Sequence, residues 1–536
     1  MFDISITAPQ WIGLLIGFGI GAAAELWGIA NPESIIRLAR WKDRLFIGCV
    51  TVGGAVAVLT LYGLYALGVD MHFGLKNMYI WGILLGGILF GTGMAISGYF
   101  PGSEWMALGE GRRDALYAVP AGIVGALAWT LLSATAVGQW LVNTNNYGEI
   151  LITGKTIAES TPINLFLLAI PFAALLIVIA WFTPRYAGSK HVCIRAQLRG
   201  KLGHDEDNPV LKERRDDNTA YLLEGSIARK GGKAEKFVRA LSSEPNTFGP
   251  VLVVVAIAVG LFIVAGIILH QIFGESTTYS WLVSYMTPNN AYSQNVQQTI
   301  GWEPFSDVGT YLGAFFSALL ISKRYTAFRR VLPPTWANRF GDSQIRRAIG
   351  VSIGSFMVLF GARMAGGCAS GHILSGIFQM AMSGIFFAVV VIITMLIAAR
   401  LIYRDCPDKV LPRKRSITIP AAQNVSGDAQ EFVGGSTSEH KGDGNKYFNM
   451  MRDRGIAWMV IIGIIATVLV AIYTLGGYTG YDGDMVAWLP VTLIPLFLTL
   501  FASAFYSDRP AYEETTVPTA PPTESGEDAE MKTVPA

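Results

Sequence analysis

Charge is what this sequence has least of. Only 15% of its 536 residues are Asp, Glu, Lys or Arg, while 52% are hydrophobic; ordinary soluble domains carry about 25% charged residues. That shortage excludes a solvated globular domain unless the apolar residues recur with helical or strand period. Instead they gather in long blocks such as Val251–His270, Ser383–Leu401 and Ile456–Tyr473 with its flanks. Blocks of about 20 residues match a hydrocarbon core about 30 Å thick. Cysteine is scarce as well: Cys49, Cys193, Cys368 and Cys406 are too few and too scattered for a disulfide framework or a CxxC metal site. Of the six histidines, only His372 lies well inside an apolar stretch and His270 lies near the end of one, so no pair suits a haem. A phosphate-binding glycine loop, an HExxH helix and a nucleophile elbow are all missing. The chain is therefore expected to have no catalytic residues, no metal site, no cofactor, no nucleic-acid partner and no ATP-hydrolysing engine of its own. The opening MFDISITAPQ lacks a basic n-region, so the first apolar segment is expected to remain as a span.

What is present reads as an all-α integral membrane protein, with membrane lipid as its first partner. Hydropathy windows place about 11 membrane segments, near 9–29, 44–69, 78–98, 113–136, 162–182, 249–273, 307–322, 346–366, 377–403, 455–476 and 483–506. They divide the chain into a first membrane repeat at 1–182, a polar basic loop at 183–248 and a second membrane repeat at 249–403. A linker at 404–454, a C-terminal helical hairpin at 455–506 and an acidic tail at 507–536 follow. Stretch 421–446, within the linker, and the tail are too polar to offset chain entropy by burial and are expected to be disordered. Segments 30–44, 183–248, 323–347 and 404–454 are basic, whereas 274–306 has no Lys or Arg and 137–161 has only Lys155. Basic loops stay in the cytoplasm, which puts the C-terminus there too and suggests a multi-pass protein of a bacterial-type plasma (inner) membrane.

One pattern occurs twice. Gly86–Gly111 reads GGILFGTGMAISGYFPGSEWMALGEG, and Gly354–Gly376 reads GSFMVLFGARMAGGCASGHILSG. Each holds Phe-Gly-x-x-Met-Ala, then small residues, a glycine and a turn-rich stretch. The two copies fall on opposite orientations of the chain, and inverted repeats with broken helices meeting near mid-membrane are a recurrent transporter design. Irregular backbone cannot face lipid, so it must be buried in protein or line a polar cavity. PGSEWMALG at 101–109 and ASGHILSG at 369–376 have the composition of half-helix starts. Such starts aim free N–H groups and a positive dipole end at a cavity, and two of them would form an anion site. Close helix packing is the competing use of the glycines.

At these residues the chain resembles the YeeE/YedE family of sulfur (thiosulfate-type) membrane transporters. The likeness is clearest at Gly361–Gly376, with its Gly-Cys-x-Ser-Gly-His element, and extends to 309–317, 17–36 and 97–111. The resemblance implies an inverted-repeat transporter with short helices dipping to the membrane centre, and cysteines that contact a small sulfur-containing anion through S–H groups. Here that role falls to Cys368. The first-half motif of such proteins commonly reads Ser-Gly-x-Cys-Pro-Gly, and here Phe100 stands in the cysteine position. Thiosulfate as the specific substrate therefore stays open, beside another small anion, a selenium or sulfur species, or a membrane subunit of a redox complex.

The path is expected between two sets of residues. Gly98, Phe100, Pro101, Gly102 and Ser103 form one, and Gly366, Gly367, Cys368, Ser370, Gly371 and His372 form the other. Arg363 would attract an anion or be paired structurally, with Glu25 and Glu104 as candidate charge partners or proton sites. A cytoplasmic sulfur-handling protein is a further candidate partner. Cys406-Pro407 is read as coincidence.

Overall fold

The computed structural model describes residues 4–183, 185, 209–228, 231–243 and 250–407, with single positions between 456 and 503. The hairpin expected at 455–506, the stretch at 421–446 expected to be disordered and the acidic tail lie outside the described residues or almost wholly so. The described residues are helical with no strands, only isolated bridges such as Tyr79 to Asn146 and Leu151 to Ala381. Among the described residues, eight helices are long and apolar enough to cross a membrane, and a ninth span arises if a pair bent by 65° counts as one. They fall on the first nine of the expected segments.

The bent pair opens the chain: α1 (Ile12–Trp27) and α2 (Pro32–Ala39). Asn31 caps α2 by accepting the Glu33 N–H at 3.1 Å, and Pro32 occupies the first helical position, where its missing N–H costs nothing. Helices α3 (Leu45–Ala66), α4 (Ile80–Ser97), α5 (Pro101–Gly109), α6 (Ala115–Ser133), α7 (Ala136–Asn143) and α8 (Pro162–Phe182) complete the first half. Within the basic loop, α9 (Pro209–Leu223) and α10 (Lys233–Ser243) pack together. Helix α9 docks on α2, where Arg37 reaches Asp217 at 2.6 Å and Asn218 at 2.9 Å.

The second half repeats the plan. It contains α11 (Pro250–Leu269), α12 (Ser276–Ser284), α13 (Ala291–Thr299) and α14 (Glu303–Phe316), which ends in a π-helical turn at Ser317–Ile321. Then come α15 (Pro334–Phe340), α16 (Gln344–Met364), a π-helix at Ala369–Gly376 and α17 (Met382–Ile402). Packing partners are exchanged between the halves. Helix α1 lies on α14 as α11 lies on α3, and α6 lies on α16 as α17 lies on α4, while α4 packs on its own counterpart α16.

The α4–α16 contact fixes the sense of that relation. A Cβ on Gly86 would stand 2.5 Å from the Gly361 carbonyl oxygen, and one on Gly93 would stand 2.6 Å from that of Gly354. As numbering rises along α4 it falls along α16, so equivalent helices run antiparallel and the halves are inverted. Close packing thus accounts for the glycines inside α4 and α16. Gly98 and Gly366, at φ 76° and 79°, do something else: they turn the chain out of each helix in the left-handed region. Outside the core, α6, α8, α11 and α17 expose apolar side chains such as Leu131, Leu167, Val254 and Ile393, as lipid-facing helices do.

Candidate substrate path between two broken helices

The first break is held by its own sequence. Phe100 is extended, Pro101 opens α5, and the Ser103 hydroxyl both accepts the Phe100 N–H at 2.8 Å and donates to the Phe100 carbonyl at 2.9 Å. Gly98 packs on Pro32, with 2.7 Å between its would-be Cβ and the Pro32 carbonyl oxygen, so the first break touches the start of α2. Arg347 of α16 reaches in from the other half, donating to the Ser97 carbonyl at 2.7 Å while paired with Asp114 at 2.7 Å. Phe100 lies against Phe46 of α3, with ring centroids 5.9 Å apart. Cys49 is buried on the same helix three residues beyond Phe46.

The second break places Cys368 in extended backbone just before the π-helix. Its side chain is 1% exposed, and its sulfur lies 3.0 Å from the Ser370 hydroxyl oxygen. Ser370 in turn accepts the Glu275 N–H at 3.2 Å, and Ser375 donates to the Phe273 carbonyl at 2.8 Å. The π-helix is therefore strapped to the break between α11 and α12. His372 is buried: Nε2 donates to the Ala365 carbonyl at 2.9 Å, and the ring stacks on Phe387 at 4.7 Å. Gly366 makes room for the Tyr79 hydroxyl and Gly367 for the His372 ring, 3.0 Å from its would-be Cβ, while the Lys76 stem lies in ordinary contact range of Gly367 and Gly371 at 3.6 and 3.7 Å.

The two breaks meet through Glu275. Its backbone is tied to Ser370 of the second break, and its carboxylate occupies the space a side chain at Gly102 of the first would take. Just behind, Tyr279 of α12 donates to Glu104 of α5 at 2.7 Å. Of the residues singled out in the sequence, Gly102, Ser370 and Cys368 are thus brought together, with Phe100, Pro101, Ser103, Gly366, Gly367, Gly371 and His372 around them.

Arg363 meets other partners than the candidate carboxylates. Nε donates to the Tyr292 hydroxyl at 2.8 Å, and Nη1 to the hydroxyls of Ser276 and Thr277, each at 3.1 Å. Glu25 accepts from Ser317 and Ser322 at 2.6 Å each and lies 3.7 Å from Arg324. It therefore ties α1 to the π-turn, and it does so away from Arg363. Glu104 is taken by Tyr279.

Glu275, Glu303, Asp307 and Lys76 are not among the residues singled out from sequence. A signal for three of them was available: the stretch 274–306, free of Lys and Arg, carries Glu275 and Glu303, and Asp307 follows it directly. Three acids with no neighbouring base in an apolar half require partners from elsewhere in the fold or protons.

The family model for sulphur transport matches residues 37–397, taking in both breaks and the helices that hold them. The chain belongs to the sulphur transport family. The resemblance to YeeE/YedE proteins read around Cys368 therefore holds, and this family member is a membrane transporter for a sulfur-containing anion, not an enzyme. A curated relative, the thiosulfate transporter TsuA of Spirochaeta thermophila, is 21% identical over 383 residues. The alignment covers 70% of this chain and 93% of the relative.

Proposed function

We propose that this sulphur transport family member carries thiosulfate, or a sulfur oxyanion of the same size and charge, between the breaks at 98–104 and 366–372 across a bacterial-type inner membrane. The convergence of Gly102, Glu275, Ser370 and Cys368 carries the reading. The Cys368 thiol offers a soft, weakly polar contact for the terminal sulfur of the anion, and no covalent step is needed. Lys76 and Arg363 supply positive charge beside 274–306, a stretch with no Lys or Arg of its own. The starts of α5 and of the π-helix each leave first-turn backbone N–H groups, the kind of donor that suits an anion. The thiosulfate transporter relative supports the substrate. Phe100 removes a thiol expected on the other side of the path and leaves Cys368 to act there without it.

Charge sets an energetic condition on uptake. Each elementary charge crossing a potential of about 100 mV is worth about 2.3 kcal/mol. A dianion entering against an inside-negative potential of that size therefore meets about 4.6 kcal/mol.

The test is uptake of [35S]thiosulfate by proteoliposomes holding the full chain, in competition with unlabelled thiosulfate, sulfite, sulfide and selenite. Saturable uptake blocked best by thiosulfate is the expected result. Absence of saturable uptake, when a control transporter is active in the same vesicles, overturns the reading.

A further inference from the structure

Resting on that reading, we propose that transport is coupled to protons, with Glu275 and Asp307 as the groups that take them up together with the anion. The observation behind this is an excess of buried acid where a dianion has to pass. Glu275, Glu303 and Asp307 are all buried, at 1%, 5% and 1% exposure. Asp307 interacts electrostatically with both glutamates and with Cys368, and Glu275 with Cys368. Among the described residues, none of the three acids forms an ion pair. Both carboxyl oxygens of Asp307 and one of Glu275 are buried without a hydrogen-bond donor, and the Thr278 hydroxyl faces Asp307 without closing a hydrogen bond.

The groups around them do not balance this charge. From α5 comes another acid, Glu104, already held by Tyr279 of α12. Glu25 of α1 is engaged elsewhere, by Ser317, Ser322 and Arg324. The second break contributes Cys368 and His372, and His372 donates through Nε2 to the Ala365 carbonyl while its Nδ1 is buried without a partner among the described residues. Positive charge comes from Lys76, ahead of α4, and Arg363 of α16, both of which face Glu303. Four acids (Glu104, Glu275, Glu303, Asp307) against two cations leave a formal excess of two negative charges before any substrate arrives. Buried like charges of that number are neutralised rather than carried. Two neutralising agents are available in a cell membrane: protons and a bound metal cation. Among the described residues, no three carboxylate, thiol or imidazole groups converge closely enough to hold a metal ion. A proton needs only one carboxyl oxygen, and the free oxygens of Asp307 and Glu275 supply it. A proton taken up with the anion on one side and released on the other also offsets the charge carried by the dianion.

The experiment uses the full-length protein in sodium-free, choline-based proteoliposomes, with [35S]thiosulfate as probe. Thiosulfate exchange at equal pH is recorded beside accumulation under an inside-alkaline gradient. At equilibrium, a gradient of one pH unit drives about tenfold accumulation per coupled proton. The expected result is such accumulation in the native protein. In Asp307→Asn and in Glu275→Gln, the ratio of gradient-driven accumulation to exchange should collapse. Exchange without any response to the pH gradient overturns proton coupling and leaves the transport reading standing. A response to an imposed sodium gradient in place of the pH gradient overturns it too. A full pH response in both variants overturns the assignment to these residues. Absence of exchange in the native protein overturns the transport reading, and this inference with it. The native-protein arm decides the matter even where a variant fails to fold.

Discussion

The carboxylate of Glu275 fills the space that a side chain on Gly102 would need. Gly102 lies in the first turn of α5 in the first repeat and Glu275 directly precedes α12 in the second, so this contact joins the two inverted halves at the proposed path. A methyl group at 102 has to displace the carboxylate. Overpacking of this kind costs about 1–3 kcal/mol. Gly102→Ala should therefore lower both the melting temperature in detergent and thiosulfate uptake. Because the two positions share one space, adding Glu275→Ala should recover melting temperature, giving a non-additive double-mutant cycle. Additive losses would show that the contact does not join the halves.

Cys368→Ala removes a thiol that touches Ser370 and leaves the strap from Ser370 to Glu275 intact. Melting should stay near that of the native protein. A lost weak hydrogen bond to the anion, worth about 0.5–1.5 kcal/mol, would reduce uptake at low substrate roughly two- to tenfold. Native uptake in a folded variant would remove Cys368 from the path.

Arg347 is a different case, since it shapes the first break without facing the path. It is bound to Asp114 through Nε at 2.9 Å and Nη2 at 2.7 Å, and to the Ser97 carbonyl at 2.7 Å, while Tyr99 donates to the same aspartate at 2.7 Å. Removing one member of a buried pair strands the other and costs about 3–5 kcal/mol. Arg347→Ala should therefore be lost largely at the level of folded yield, as read by fluorescence-detected size-exclusion chromatography. Yield equal to that of the native protein would contradict the clamp.

His372 tests the same idea at the second break. Its Nε2 donates to the Ala365 carbonyl, which lies in the turn that ends α16. His372→Leu keeps apolar contact with Phe387 and leaves the carbonyl without that donor, at a cost of about 1–3 kcal/mol. His372→Gln keeps a donor, so its melting temperature should lie above that of the leucine variant. Equal melting of the two would show that the hydrogen bond does not hold the break.

Much of this architecture follows from sequence because the membrane leaves few options. Apolar blocks of span length become helices, since every backbone polar group must be satisfied within its own segment. A glycine followed by Pro-Gly-Ser at 101–103, or by Cys-x-Ser-Gly at 368–371, marks where such a helix must stop, and the backbone turns at Gly98 and Gly366 as those residues suggest. The family signature around Cys368 is local and equally legible.

What sequence could not supply is which groups face one another across the halves. Gly102 meets Glu275 and Glu25 meets Arg324 across the halves, while Arg363 meets Tyr292, Ser276 and Thr277 within the second. Hydropathy reports burial but carries no record of partners, so Glu275 and Asp307 read only as isolated acids in an apolar stretch. Tertiary packing alone placed them beside Cys368, because a buried charge takes its meaning from whatever neighbour the fold brings to it.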